Sequence, residues 1–164
     1  MDEVLQGYPD EPVVVYAAGA MAISGVNHVT LAVRDLDRAL HFYVRVLGGR
    51  RRAQWQRGAY LELGTLWLCL ELDACAARQV DDAHLAFSVD AQGFASLGEA
   101  IRLSGARIWK DNRSEGASLY FEDPDGHKLE IHVGDLRTRL ASCREAPYEG
   151  MEFFDDGESE TPAR

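Results

Sequence analysis

Three side chains in this sequence have the chemistry of a divalent-metal site: His28, His84 and Glu130. Two neutral imidazoles and one carboxylate suit a borderline or hard ion such as Mn²⁺, Fe²⁺ or Zn²⁺. Three protein ligands leave coordination positions open, which a Lewis-acid site needs for its substrate. A single histidine at the mouth of a strand is ordinarily a surface residue. These three are set apart by their positions in a repeated pattern.

The first half opens with NHVTLAV, an alternating strand that begins at His28. In DLDRALHFYVRVLGG, Ala39, Leu40, Phe42, Tyr43, Val46 and Leu47 fall at helical spacing, Asp35 can cap, and glycines stop the helix. RRRAQWQ, AYLELG and LWLCLEL read as three short strands. The second half repeats this order with AHLAFSV, the helix DAQGFASLGEAIRLSG, and the strands ARIWKD, SLYFEDPDG and HKLEIHV. The pattern predicts an α+β fold built from two βαβββ repeats, over about residues 25–72 and 82–134, forming a cupped mixed sheet. His28 and His84 each open the first strand of a repeat. Setting WLCLEL on KLEIHV pairs Cys69 with Glu130, so one ligand slot carries a small thiol and the other a carboxylate. DPDG, residues 123–126, predicts a tight turn. Beyond it Lys128, Glu130 and His132 share a face. Glu130 is expected inside the cup on the metal, the wet-face reading fits Lys128, and His132 has no assigned role.

The bulk numbers bound the function. The 164 residues suit one domain. A net charge of −10 argues against a nucleic-acid binder, although a local Arg and Lys cluster can still serve a small anion. Three cysteines (Cys69, Cys75 and Cys143) with no CxxC fit a reducing cytoplasm. No apolar run reaches the ~20 residues of a membrane helix, and acids rather than basic residues precede the short VVVYAAGAMA. Residues 1–22 read as a poorly ordered extension or the product of an upstream start, 23–154 as the folded domain, and 155–164 as a disordered acidic tail.

The paired βαβββ order with ligands on first and last strands resembles the vicinal oxygen chelate superfamily, the fold of glyoxalase I, extradiol dioxygenases, bleomycin-binding proteins and fosfomycin-modifying enzymes. More closely, the chain resembles the fosfomycin-resistance glutathione transferases of the FosA type, from about Ile23 to Phe154. The runs that carry the likeness are NHVTLAV, FYVRVLG, GAYLELGTLWLCL, WKDNRSEGASLYFEDPDGHKLEIHVGDLRTRL and APYEGM. The resemblance implies a domain-swapped homodimer that uses Mn²⁺ or another divalent ion, K⁺, glutathione and fosfomycin. It adds to the composition, which predicts a cytoplasmic protein with no nucleic-acid or membrane partner. It makes His28, His84 and Glu130 the metal ligands, with His28 meeting the other two from the partner chain. Thr30 is implied to hydrogen-bond the epoxide oxygen, and Tyr60 to stand near the incoming thiol. Lys110, Ser114, Tyr120 and Arg139 are implied to hold the phosphonate, and Trp67 to wall the pocket. Asn112, Ser114, Glu115, Gly116 and Ser118 lie in the loop implied to wrap K⁺.

Residue chemistry is compatible with these roles. Lys110 and Arg139 offer charge-assisted donors to a phosphonate, and NRSEGAS offers hard oxygens. The same loop also reads as an ordinary strand connection, Arg139 as a solvated helix charge, and Tyr60 and Trp67 as core. Asp82, Ala83 and Leu85 depart from the aromatic surroundings of the second histidine that the family tends to carry, so thiol identity is the open part of the reading. The competing functions are an epoxide hydrolase, a transferase using another thiol such as cysteine or bacillithiol, and a drug-sequestering binding protein of the same fold.

Overall fold

Side-chain alternation and three aspartate caps set the elements. The structure, a computed structural model, describes residues 25–78, 80–113 and 115–153. The expected extension at 1–22, the acidic tail at 155–164 and Ser114 lie outside those residues. β1 (His28–Val33) leads into α1 (Leu36–Leu40), whose entry is capped by Asp35 accepting the Arg38 N–H. The helix continues as a π-helical turn, His41–Val46, in which the Leu47 N–H donates to the Phe42 carbonyl at 3.1 Å. Hydrophobic spacing alone does not distinguish this wider register from a regular helix. Three strands follow: β2 (Arg50–Trp55), β3 (Gly58–Leu63) and β4 (Leu66–Leu72). The second repeat is β5 (Leu85–Ser88), α2 (Ala91–Leu103), β6 (Ile108–Lys110), β7 (Ser118–Glu122) and β8 (Lys128–His132). Asp90 caps α2, and Asp135 forms a capping box at the start of α3 (Leu136–Glu145).

The mixed sheet comes as two four-stranded sheets, one per repeat, ordered β1-β4-β3-β2 and β5-β8-β7-β6. In each, the first strand pairs parallel to the last and the remaining pairs are antiparallel. Leu61, Leu68 and Leu70 from one sheet and Leu119, Phe121, Leu129 and Ile131 from the other are buried with Ile101 of α2. Phe42 and Tyr43 of the π turn are buried too, and the Phe42 ring lies 6.2 Å from that of Phe121 in the other repeat.

The DPDG turn does more than reverse the chain. Gly126 takes a positive φ of 90°, which favours glycine. Asp123 Oδ1 accepts the N–H groups of Asp125 and His127 at 2.9 and 2.8 Å. Its Oδ2 accepts the Tyr43 hydroxyl of the first repeat at 2.8 Å. Asp125 Oδ1 accepts from the Arg34 backbone N–H, from Arg34 Nε and from Arg38 Nη2, and a His127 ring nitrogen donates to the Ala32 carbonyl. The turn is therefore a buried clasp between repeats. Burial first, then the carboxylates of Asp123 and Asp125, hold the Tyr43 phenol well above its usual 10.0, so it stays a donor through the neutral range. Because the folded value is the higher one, the clasp's contribution is complete below the ordinary tyrosine value and is lost as pH climbs past it. Tyr43→Phe is expected to cost roughly 1 to 3 kcal/mol, because it leaves a buried carboxylate oxygen without its donor. Urea unfolding measures this, and an unchanged midpoint would show that the hydroxyl is not needed.

Candidate metal centre

Strand register aligns the candidate residues in rows. In the second sheet Lys110 pairs with Tyr120, Tyr120 with Glu130, and Glu130 with Ala86. In the first, Tyr60 pairs with Cys69 and Cys69 with Thr30. Directly paired residues project from the same face of a sheet. The repeats superpose on these rows, so Cys69 and Glu130 do occupy equivalent slots, as do Tyr60 and Tyr120. The slots differ in surroundings: Glu130 and Tyr120 are 6% and 7% exposed, whereas Tyr60 and Trp67 are 38% and 40% exposed. Tyr60 and Trp67 are thus not core. They stand on an open aromatic face with Trp55, with Tyr60–Trp55 and Tyr60–Trp67 centroids 4.8 and 5.1 Å apart.

His84 and Glu130 meet. His84 Nε2 lies 3.0 Å from Glu130 Oε2. The other ring nitrogen, Nδ1, is 2.8 Å from the Asp82 carbonyl, which can only accept, so Nδ1 carries the proton. In the neutral ring this leaves two acceptors, Nε2 and a carboxylate oxygen, facing each other across 3.0 Å. Only a cation between them, a proton or a metal ion, relieves that opposition. His28 is set in the same way, with Nδ1 2.8 Å from Asn27 Oδ1 and no hydrogen bond to Nε2 among the described residues. At both positions Nδ1 is fixed by a neighbouring oxygen, and Nε2 is the nitrogen that a metal would take.

His28 is not beside the other two. It sits on the first sheet, its ring 4.6 Å from that of Trp67. Among the described residues no group of three His, Cys, Asp or Glu side chains is close enough to hold a metal. One chain thus presents two of the three expected ligands together and the third apart. The cavities divide likewise: one of about 360 Å³ is lined by Asp82, Trp109, Lys110, Asp111 and Arg113, and another of about 570 Å³ includes Tyr60 and Trp67.

In the candidate potassium loop, the Asn112 amide donates to the Gly116 carbonyl at 2.8 Å. Gly116 has a φ of 77°, and a Cβ there would come within 2.4 Å of the Val133 carbonyl oxygen. Glu115 pairs with Arg139 at 2.7 Å, while its Oε1 is buried without a hydrogen-bond partner among the described residues. An orphaned hard oxygen fits a weakly held cation. Arg139 is therefore paired with the loop rather than being a solvated helix charge.

Comparison with known proteins agrees with this architecture. The model of the Glyoxalase/Bleomycin resistance protein/Dioxygenase superfamily matches residues 25–131. The chain belongs to this superfamily. Within the superfamily, it is 48% identical over 138 residues to the glutathione transferase FosA of Serratia marcescens, spanning 82% of this chain and 98% of that protein. It is 35% identical over 127 residues to the metallothiol transferase FosB of Shouchella clausii, spanning 73% and 86%. Among solved structures, the fosfomycin resistance protein FosX of Listeria monocytogenes superposes with a TM-score of 0.66 at 27% identity, over 73% of this chain and 98% of that one. A glutamate-to-glutamine variant of FosX, complexed with Mn(II) and 1S,2S-dihydroxypropylphosphonic acid, superposes with a TM-score of 0.65 at 26% identity, over 72% and 98%.

Three further residues shape the site of this superfamily member. Lys128, expected on a wet face, is buried. Its ammonium lies 4.6 Å from the Trp109 ring centroid, donates to the Asp81 carbonyl and stands 3.6 Å from Asp82. Its burial has a physical cause: the 81–82 segment folds over the strand and replaces water as the lysine's partner. Lys128 thereby anchors the segment whose Asp82 carbonyl orients His84. Trp109 lies edge-on to both His84 and Tyr120, at 5.8 and 5.4 Å, and Lys110 is 5.3 Å from the Tyr120 ring. His132, without a role in the sequence, accepts or donates at 2.8 Å through Nδ1 to Ser118 Oγ and is 3.7 Å from Glu130 Oε1. It joins the loop to the candidate ligand strand. Alternation placed His132 on Glu130's face, but nothing in the repeat gave it a slot.

Proposed function

We propose that this protein is a metal-dependent thiol transferase that opens the epoxide of fosfomycin with glutathione. His28, His84 and Glu130 are its metal ligands, Mn²⁺ the preferred ion, K⁺ an activating cation and the cytoplasm its place of action. The observation that carries the reading is the opposed His84 Nε2 and Glu130 Oε2, 3.0 Å apart in a chain 48% identical to a glutathione transferase over nearly all of that protein. The site is completed in a homodimer, with His28, Thr30, Tyr60 and Trp67 of one chain facing His84, Lys110, Tyr120 and Glu130 of another. The separation of the two groups within one chain supports this arrangement.

The bound metal would polarise the epoxide oxygen and offset its developing negative charge. The chain's own residues do the rest. Lys110, Tyr120, Ser114 and Arg139 hold the phosphonate through charged and hydroxyl donors. The Thr30 hydroxyl donates to the epoxide oxygen as its C–O bond breaks. Tyr60 stands by the thiol, and the new C–S bond forms as the thiol proton is lost and the opened oxygen gains one. Asn112, Ser114, Glu115, Gly116 and Ser118 would hold K⁺, which would add positive charge for the phosphonate. Drug sequestration without chemistry is disfavoured, because it gives the opposed ligand pair nothing to do.

Incubation of the protein with Mn²⁺, K⁺, fosfomycin and glutathione is expected to give an adduct visible by mass and phosphorus NMR. No adduct above the uncatalysed rate would sink the reading. Parallel reactions with cysteine, bacillithiol and no thiol settle the nucleophile. A vicinal diol without thiol would replace the transferase with a hydrolase, the reading favoured by the diol phosphonate bound to the FosX variant. Arg139→Ala is expected to raise the KM for fosfomycin by about 10- to 100-fold, the worth of one charged hydrogen bond. A KM unchanged in steady-state assays would remove Arg139 from the phosphonate site.

A further inference from the structure

A further cleft, of about 790 Å³, opens between the π turn, the C-terminal end of α2 and the DPDG clasp. None of the candidate metal, phosphonate or potassium residues lines it. In a chain of net charge −10, five arginines converge here: Arg34, Arg38, Arg45, Arg78 and Arg107. Three carboxylates face them. Asp125 bridges Arg34 and Arg38, each at 3.0 Å, and Glu122 bridges Arg78 and Arg107. Asp123 is committed to Tyr43 and two backbone N–H groups. Arg45 forms no ion pair among the described residues. A carboxylate shared by two guanidiniums neutralises only one, so five arginines against three carboxylates leave the lining with a positive excess.

Two more observations describe what would fit. Asp125 is 2% exposed, and its Oδ2 is buried without a hydrogen-bond partner among the described residues. Native structures rarely leave such an atom unsatisfied, and this one calls for an N–H or O–H donor. The cleft also has apolar wall from Phe42 and Leu103, the latter 80% exposed at its rim. Its volume is that of a small-molecule site. Guanidinium forks match phosphate oxygens.

We propose that this cleft is a second ligand site, separate from the metal centre, for a phosphorylated metabolite of nucleotide size. Its phosphates meet Arg45, Arg78 and Arg107, a hydroxyl donates toward Asp125 Oδ2, and its apolar ring lies against Phe42 and Leu103. Occupancy would brace the clasp and so stabilise the fold by mass action.

Calorimetric titration of the full-length protein with ADP, and separately with pyrophosphate, tests this. Saturable binding with one site per chain is expected, tighter for ADP because only ADP brings the ring and hydroxyls. Arg45→Gln with Arg107→Gln should weaken ADP binding at least tenfold, and saturating fosfomycin should not displace it. In the unmodified protein, amide NMR shifts should centre on Gly105 and Gly126, which keeps the test decisive if the double variant folds poorly. No saturable binding at millimolar ADP, undiminished binding in the folded double variant, displacement by fosfomycin, or shifts centred on Trp109 and Glu130 would each overturn the proposal. None of these readouts depends on turnover, so the fosfomycin reading can fail while this one stands.

Discussion

Glu130→Gln is expected to lose about 10³-fold or more in kcat/KM, because a carboxylate ligand is removed while its shape is kept. The glutamine amide can donate to His84 Nε2, which resolves the opposed acceptors without a metal. The variant should therefore fold as well as the parent in metal-free buffer. It should also lack the rise in melting temperature that Mn²⁺ is expected to give the parent, since binding to the native state alone is what raises it. If Glu130 were only solvated decoration on a strand, turnover and the Mn²⁺-induced shift would both survive. Direct titration of Mn²⁺ into the two proteins separates the outcomes without relying on activity.

The second large effect is a recovery. His28→Ala and Glu130→Gln are each expected to be inactive as homodimers. Mixed and allowed to exchange subunits, they should regain about a quarter of parental activity: half of the dimers are mixed, and one of their two sites is intact. Recovery requires that His28 and Glu130 of the same site come from different chains. If both ligands came from one chain, every site in the mixture would carry a lesion and activity would stay at the level of the variants. A tagged subunit that pulls down an untagged one confirms that exchange occurred.

The sequence carried the repeat because strand alternation and helix spacing are local signals. Two histidines in one repeat slot, and Cys69 opposite Glu130, followed from that order, and strand register bears out the equivalence. What stayed illegible depends on contacts between distant segments. Lys128 is buried because residues some 46 positions earlier fold over it, and alternation says nothing of that. Asp125 reads as a turn residue, and only the fold brings Arg34 and Arg38 to it. The π turn escaped because Phe42 and Tyr43 satisfy either helical register. The tautomers of His28 and His84 needed the positions of Asn27 and the Asp82 carbonyl. A five-arginine cleft gathered from five separate elements and loops leaves no run of positive charge to notice.

The distance of His28 from His84 and Glu130 within one chain has a consequence for gene dosage. If each working site needs two copies, the number of sites at low expression grows with the square of the number of chains made. Weak transcription would then confer less drug tolerance than proportion suggests, and a modest promoter mutation or a second gene copy would raise it disproportionately. An inactive allele expressed beside a working one would draw chains into mixed pairs, each with one functional site if the allele had lost a single ligand and none if it had lost both His28 and Glu130.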